Sequence, residues 1–176
     1  LLCERGLAVT CILVDGEPQT PDAITNFEKL ADMPVTIRDM TRDLGVGVAL
    51  LKGALPGSTQ DAPAIVVDAI YGTGFHGELR PRAAAAADFI TKYRDVAFAL
   101  DIPSGLTGDM KAGETFNRNS AKVCTTITFH ACKPVHLVAS VREYCGKVVA
   151  ADIGIRDMKV LFAGDSVVNG FPYSSG

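Results

Sequence analysis

The chain has 176 residues, a formal net charge of −3, and 48% hydrophobic against 21% charged residues. That length predicts one domain with a sizeable core, plus at most the start of a second. The composition excludes disordered and low-complexity classes. The lack of a Lys/Arg block removes the footprint expected for duplex nucleic acid, and no apolar run approaches the ~20 residues of a membrane helix.

In chain order, Leu1-Leu2-Cys3-Glu4-Arg5-Gly6 reads as the last turn of a helix with its C-terminal glycine, so the sequence is expected to open inside a domain. Residues 8–14 form an apolar, β-branched run closed by Asp15-Gly16, a strand and turn. Pro21 and Asp22 open a helix with Ile24, Phe27, Leu30 and Ala31 along one stripe. Val35-Thr36-Ile37 is a short strand, and 41–55 a helix weakened by Gly45, Gly47 and Gly53. Ala64 to Asp68 is a buried strand that feeds a glycine-rich loop from Tyr71 to Pro81. Pro81 and the alanines 83–87 begin a helix that runs to about Arg94. Further strands are read at 96–100, 125–129 and 146–153. Apolar strands alternating with helices, without hairpin signals, predict an α/β class: a doubly wound, mostly parallel sheet covered on both faces, in a Rossmann-like three-layer sandwich.

In such sheets ligands bind beyond the carboxyl ends of the strands. Two strands end in an acid followed by a tight turn, Asp68 and Asp101. A buried carboxylate needs a cation, a ligand or backbone donors, and helix or turn capping by each Asp is the plainer alternative. The loop Gly72-Thr73-Gly74-Phe75-His76-Gly77-Glu78 has glycines that let backbone N–H groups approach an anion, although a flexible turn explains them too. His76 is a proton carrier or a solvated surface group. Lys133 meets a phosphate or sits on the surface.

Five cysteines, Cys3, Cys11, Cys124, Cys132 and Cys145, are scattered without a Cys-x-x-Cys. This pattern predicts reduced thiols and a cytoplasmic location. His130, Cys132, His136 and Cys145 fit no familiar zinc spacing, which leaves ordinary packing as their expected role.

Three ordered blocks make the pattern specific: Val67-Asp68-Ala69-Ile70-Tyr71-Gly72-Thr73-Gly74, Gly77-x-Leu79-Arg80-Pro81, and Ala99-Leu100-Asp101-Ile102-Pro103-Ser104-Gly105-Leu106. They are followed by Thr128-Phe129, Lys133-Pro134, Glu143 to Gly146 and Ala151 to Ile155. Over residues 1–155 the chain resembles the YjeF N-terminal family, the NAD(P)H-hydrate epimerases. The resemblance implies interconversion of the R and S epimers of 6-hydroxylated NADH or NADPH (NADHX and NADPHX), a homodimer and a potassium ion. It implies Asp68 and Ser104 as potassium ligands, with Gly72, Thr73, Gly74, Phe75, His76, Gly77, Glu78 and Asp101 on the nucleotide. Carboxylate and hydroxyl oxygens suit a hard cation. Epimerisation by loss and return of the hydroxyl needs a group that gives and retakes a proton, for which Asp101 is the candidate. The family's Gly-x-Gly-Asn-Asn-Gly-Gly-Asp-Gly loop does not occur in this sequence and is expected upstream of Leu1, so this chain alone is expected to be inactive. Val123-Cys124 stands where the family often has Ala-Asp.

Residues 156–176 are read as a separate tail. Lys159 to Ser166, a strand pattern ending in Gly-Asp-Ser, resembles the first block of the SGNH hydrolases, with Ser166 in the nucleophile position and no Asn or His partner. A protein- or RNA-binding module on the same fold is the alternative reading of the main domain, since a fold does not fix a function.

Overall fold

The computed structural model describes residues 2–41, 49, 51 and 64–155. Most of the helix expected at 41–55 and all of Lys159 to Ser166 lie outside the described residues.

Leu2 to Gly6 form a single 3₁₀ turn, Cys3–Arg5. Gly6 takes a left-handed φ of 81°, and its N–H bonds the Cys3 carbonyl. The glycine stop is as read; the turn is tighter than an α-helix. Strand β1 (Val9–Leu13) pairs parallel with β2 (Val35–Asp39), from Val9 opposite Val35 to Leu13 opposite Asp39. Helix α1 (Pro21–Glu28) starts where Thr20 is extended and Pro21 occupies the first turn. It then tightens into a 3₁₀ turn over Lys29–Asp32, and none of its residues is buried.

The second sheet holds β3 (Val66–Asp68), β4 (Ala97–Leu100), β5 (Thr125–Phe129) and β6 (Lys147–Ala151), in that order and all parallel. Helix α2 (Pro81–Lys92) follows an extended Arg80. It buries Ala83, Ala86, Ala87 and Ile90, the i, i+3, i+4, i+7 stripe of an amphipathic helix. Its alanines let it approach Ala97 and Ala99 of β4 closely, and Ile90 in that cluster contributes about 1.5–3 kcal/mol. A 3₁₀ turn at Arg94–Val96 ends the helix two residues early and delays β4 to Ala97. A second cluster joins Ile102, Leu106 and Met110 of the β4–β5 loop to Val135, Val138 and Val141. Tyr144 and Cys145 of the single-turn helix α3 (Arg142–Cys145) complete it. A third joins Val14 and Met40, at the ends of β1 and β2, to Ala83 and Ala86, which fixes the small sheet against α2. Gly146 starts β6 with φ 58°, where a Cβ would lie 2.2 Å from the Cys124 carbonyl oxygen, so no other residue fits.

The α/β class, with parallel sheets flanked by helices, is as predicted; among the described residues, one face of the larger sheet is the more covered. Asp68, Ala99, Thr126 and Val148 share a row on the covered face. On the other face Val67, Phe129 and Val149 remain 43%, 38% and 40% exposed. The three connections each step one strand in the same direction, and right-handed crossovers then all pass over one face.

Candidate functional site

Both strand-end acids fall where the sequence places them, beyond the carboxyl ends of adjacent parallel strands. Asp68 closes β3 and is only 1% exposed. Ser104, also 1% exposed, comes to it from the buried Ile102–Leu106 stretch of the β4–β5 loop. The Ser104 hydroxyl donates to Asp68 Oδ1 at 2.6 Å, and the Ser104 N–H donates to Oδ2 at 2.8 Å. The Ile70 N–H adds a long contact of 3.4 Å, while the Ser104 oxygen accepts the Tyr71 N–H at 3.1 Å. Burial raises the Asp68 carboxyl above its ordinary 3.8, and these neutral donors offset that only in part. No salt bridge among the described residues involves Asp68. A buried carboxylate of this kind, paired with a hydroxyl and lacking a counter-charge, suits a hard cation, so the residues fit a potassium ion. Gly105 makes the approach possible. Its φ is 99°, and a Cβ there would lie 2.9 Å from the Ser120 backbone.

Asp101 begins the loop after β4 with φ 69°. Only Asp101 and His130 are non-glycine residues with positive φ among those described, and each follows a strand. Asp is one of the few side chains that tolerate this conformation, and strain of this kind gathers at functional sites. The backbone is held by a bond from the Asp101 N–H to the Ile127 carbonyl, 2.8 Å. Its Oδ1 accepts from Lys133 Nζ at 2.5 Å, from the Phe129 N–H at 3.2 Å and from the Thr128 hydroxyl at 3.2 Å. Burial pushes the carboxyl up, but the Lys133, Phe129 and Thr128 donors outweigh it and hold it below 3.8. Asp101 is therefore a carboxylate at neutral pH.

The glycine loop folds back through a bond from the Phe75 N–H to the Gly72 carbonyl, with Tyr71 and Phe75 stacked 4.8 Å apart. Gly72, Thr73, Gly74, His76, Gly77 and Glu78 are exposed, and Phe75 is half-buried. The Tyr71 hydroxyl bonds Asp15 beyond β1; burial first, then that carboxylate, pushes it up to about 12. Thr73 and His76 face Lys133 and Pro134 across a cavity of about 280 Å³, which Gly108 and Asp109 complete. Thus the loop, the Asp101 cluster and the Asp68–Ser104 pair occupy one end of the sheet.

His136, Lys133 and Thr128 are the residues the sequence left open or passed over. The signal available was position: Thr128 and Lys133 bracket the end of β5 as Asp101 marks the end of β4. His136 turns its Nδ1 to the Lys133 N–H, 3.0 Å away, and Cys145 packs in the apolar cluster, where burial raises its thiol to about 11. Among the described residues no three His, Cys, Asp or Glu side chains gather as a metal site.

A family model described as the YjeF-related protein N-terminus matches residues 1–135. The chain is 40% identical over 91 residues to the bifunctional NAD(P)H-hydrate repair enzyme Nnr of Archaeoglobus fulgidus, covering 52% of this chain and 18% of that protein. It is 39% identical over 93 residues to the NAD(P)H-hydrate epimerase of Nitrosopumilus maritimus, covering 53% of this chain and 41% of that one. The chain thus spans less than half the length of these curated relatives. The crystal structure of yeast ynu0 (YNL200c) superposes with a TM-score of 0.55 at 15% identity, covering 85% of this chain and 67% of the other, a likeness of fold. With the match extending over 135 of 176 residues, and through the loops that carry Asp68, Asp101 and Ser104, the chain belongs to the family of YjeF-related protein N-termini.

Proposed function

We propose that this chain forms part of the catalytic domain of an NAD(P)H-hydrate epimerase, an isomerase that interconverts the R and S epimers of NADHX and NADPHX. The observation that carries the reading is the pair of acids at neighbouring strand ends, one neutralised by Lys133 and the other without a salt bridge among the described residues. The names of the two relatives agree with it. Asp68 and Ser104 would hold potassium. When bound, the ion supplies positive charge beside Asp68 and the anionic nucleotide. The loop from Gly72 to Glu78 presents backbone N–H groups to the diphosphate, and Asp101 lies at the reacting ring. Held ionised, Asp101 is suited to take a proton from water as it returns to C6. A homodimer and a cytoplasmic location belong to the same reading; the five thiols are all free. A protein- or RNA-binding module has no use for two strand-end acids built in this way and is not favoured.

The test uses the full-length protein, with NADHX epimers followed by chromatography in potassium and in a potassium-free buffer. Equilibration that needs potassium and drops about 100-fold or more in Asp101→Asn, with nucleotide binding retained, is the expected outcome. Equilibration no faster than the buffer blank overturns the reading.

A further inference from the structure

Asp101 accounts for only half of the proton traffic. A carboxylate can take a proton from returning water, but the departing hydroxyl must first receive one. The nearest protonated group is Lys133, whose construction differs from that of a surface lysine. Its Nζ reaches Asp101 Oδ1 at 2.5 Å, the Phe129 carbonyl at 2.7 Å and the Thr128 hydroxyl at 3.0 Å. Its side chain is 22% exposed and forms a wall of the cavity facing Thr73 and His76. The backbone is clamped too. The Lys133 N–H donates to His136 Nδ1 at 3.0 Å, and the His136 N–H donates back to the Lys133 carbonyl at 3.0 Å. Burial holds His136 below its ordinary 6.5, which leaves the imidazole neutral and Nδ1 free to accept.

We infer that Lys133 is the proton donor to the departing hydroxyl and that Asp101 and Lys133 work as one coupled pair. The inference rests on the epimerase reading. The substrate hydroxyl displaces the Thr128 oxygen, the longest of the three Lys133 contacts, and Thr128 keeps its neighbours Asp101 and Ala131. Lys133 then gives one proton to that oxygen as the C6–O bond breaks. The nitrogen lone pair of the ring forms a C=N bond, and the products are water, a cationic ring and a neutral lysine amine. Water adds to C6 from the other face, the C=N pair returns to nitrogen, and the proton lost by that water goes to the Asp101 carboxylate. The protonated Asp101 hands its proton to the Lys133 amine along their contact, which restores the ion pair and leaves the nucleotide with a neutral ring of opposite configuration at C6. No external acid, base or oxidant is consumed.

The experiment compares wild type, Lys133→Arg and Lys133→Met in the full-length protein, with and without added methylammonium. Arginine keeps the charge and the pairing with Asp101 but does not give up its proton, so it separates chemistry from architecture. The expected result is acceleration by wild type and a loss of about 100-fold or more in kcat in both variants. KM should stay within about threefold, and methylammonium should restore part of the rate in Lys133→Met but none in Lys133→Arg. The Arg variant should melt with wild type. Near-wild-type kcat in Lys133→Arg, or losses confined to KM, would show that Lys133 only anchors Asp101 or the nucleotide and would overturn the inference. A wild-type protein no faster than the blank overturns the epimerase reading itself, and this inference with it.

Discussion

Replacing Ser104 by alanine isolates the contact on which the buried carboxylate depends. In the wild type the hydroxyl donates to Asp68 at 2.6 Å and accepts the Tyr71 N–H at 3.1 Å. A hydrogen bond to a charged group is worth about 1.5–3 kcal/mol, and a main-chain N–H left without an acceptor costs about 1 kcal/mol more. Asp68 keeps the Ser104 N–H and the distant Ile70 N–H, so it is not stripped of donors. The expected cost is therefore about 2–4 kcal/mol, a large share of the ~5–15 kcal/mol that holds a domain together. At about 2–4 °C per kcal/mol for a chain of this size, Tm should fall by about 5–15 °C. Urea and thermal melts in potassium-free buffer, with tetramethylammonium as the counter-ion, would measure it without the contribution of a bound ion. Thr126→Val serves as the comparison. It removes one neutral bond, from the Thr126 hydroxyl to the Cys145 carbonyl at 2.7 Å, in an equally buried place, and should cost about 1 kcal/mol. If Ser104→Ala proves no worse than Thr126→Val, the hydroxyl contact is not what stabilises the buried Asp68 carboxyl.

Gly105→Ala should cost about 2–5 kcal/mol, the sum of a left-handed φ and a Cβ forced against the Ser120 backbone, and denaturant melts would show it. The His136 clamp should be acid-labile. Its folded pKa lies below 6.5, so the stability it contributes is present above 6.5 and is lost as pH falls through the lower folded value. The protection factors of residues 130–138, taken against the intrinsic exchange rate at each pH, should therefore fall as the pH is lowered past 6.5, and His136→Gln should remove that dependence; an unchanged profile would show that the imidazole does not clamp Lys133. Epimerisation in oxygen-18 water should place label at C6 at the rate of epimerisation, and mass spectra showing inversion without label would mean that the ring opens instead of losing its hydroxyl.

Much of this was legible in the linear sequence. Pro21 and Pro81 open their helices at the residues read, and Thr125 to Phe129 form β5 with the bounds read. Asp68 and Asp101 stand at strand ends because each follows a β-branched or apolar run and precedes a turn. These are local properties: proline fixes its own φ, and turn residues after an apolar run mark where the strand stops. Lys133 was legible as a residue beyond a strand but not as a partner of Asp101, 32 positions away, because that contact exists only once β4 and β5 pair in register. The same holds for Ser104, which reaches Asp68 only through the fold of the β4–β5 loop. Which face of the sheet the helices cover was likewise outside the reach of periodicity. Alternation says that a strand has two faces, whereas the direction of successive crossovers decides which one is buried. Sequence by itself determined the elements and the chemical inventory of the site. Only tertiary structure decided that, among the described residues, one strand-end acid is neutralised by a lysine and the other is not, since charge neutralisation depends on distances the chain order does not contain.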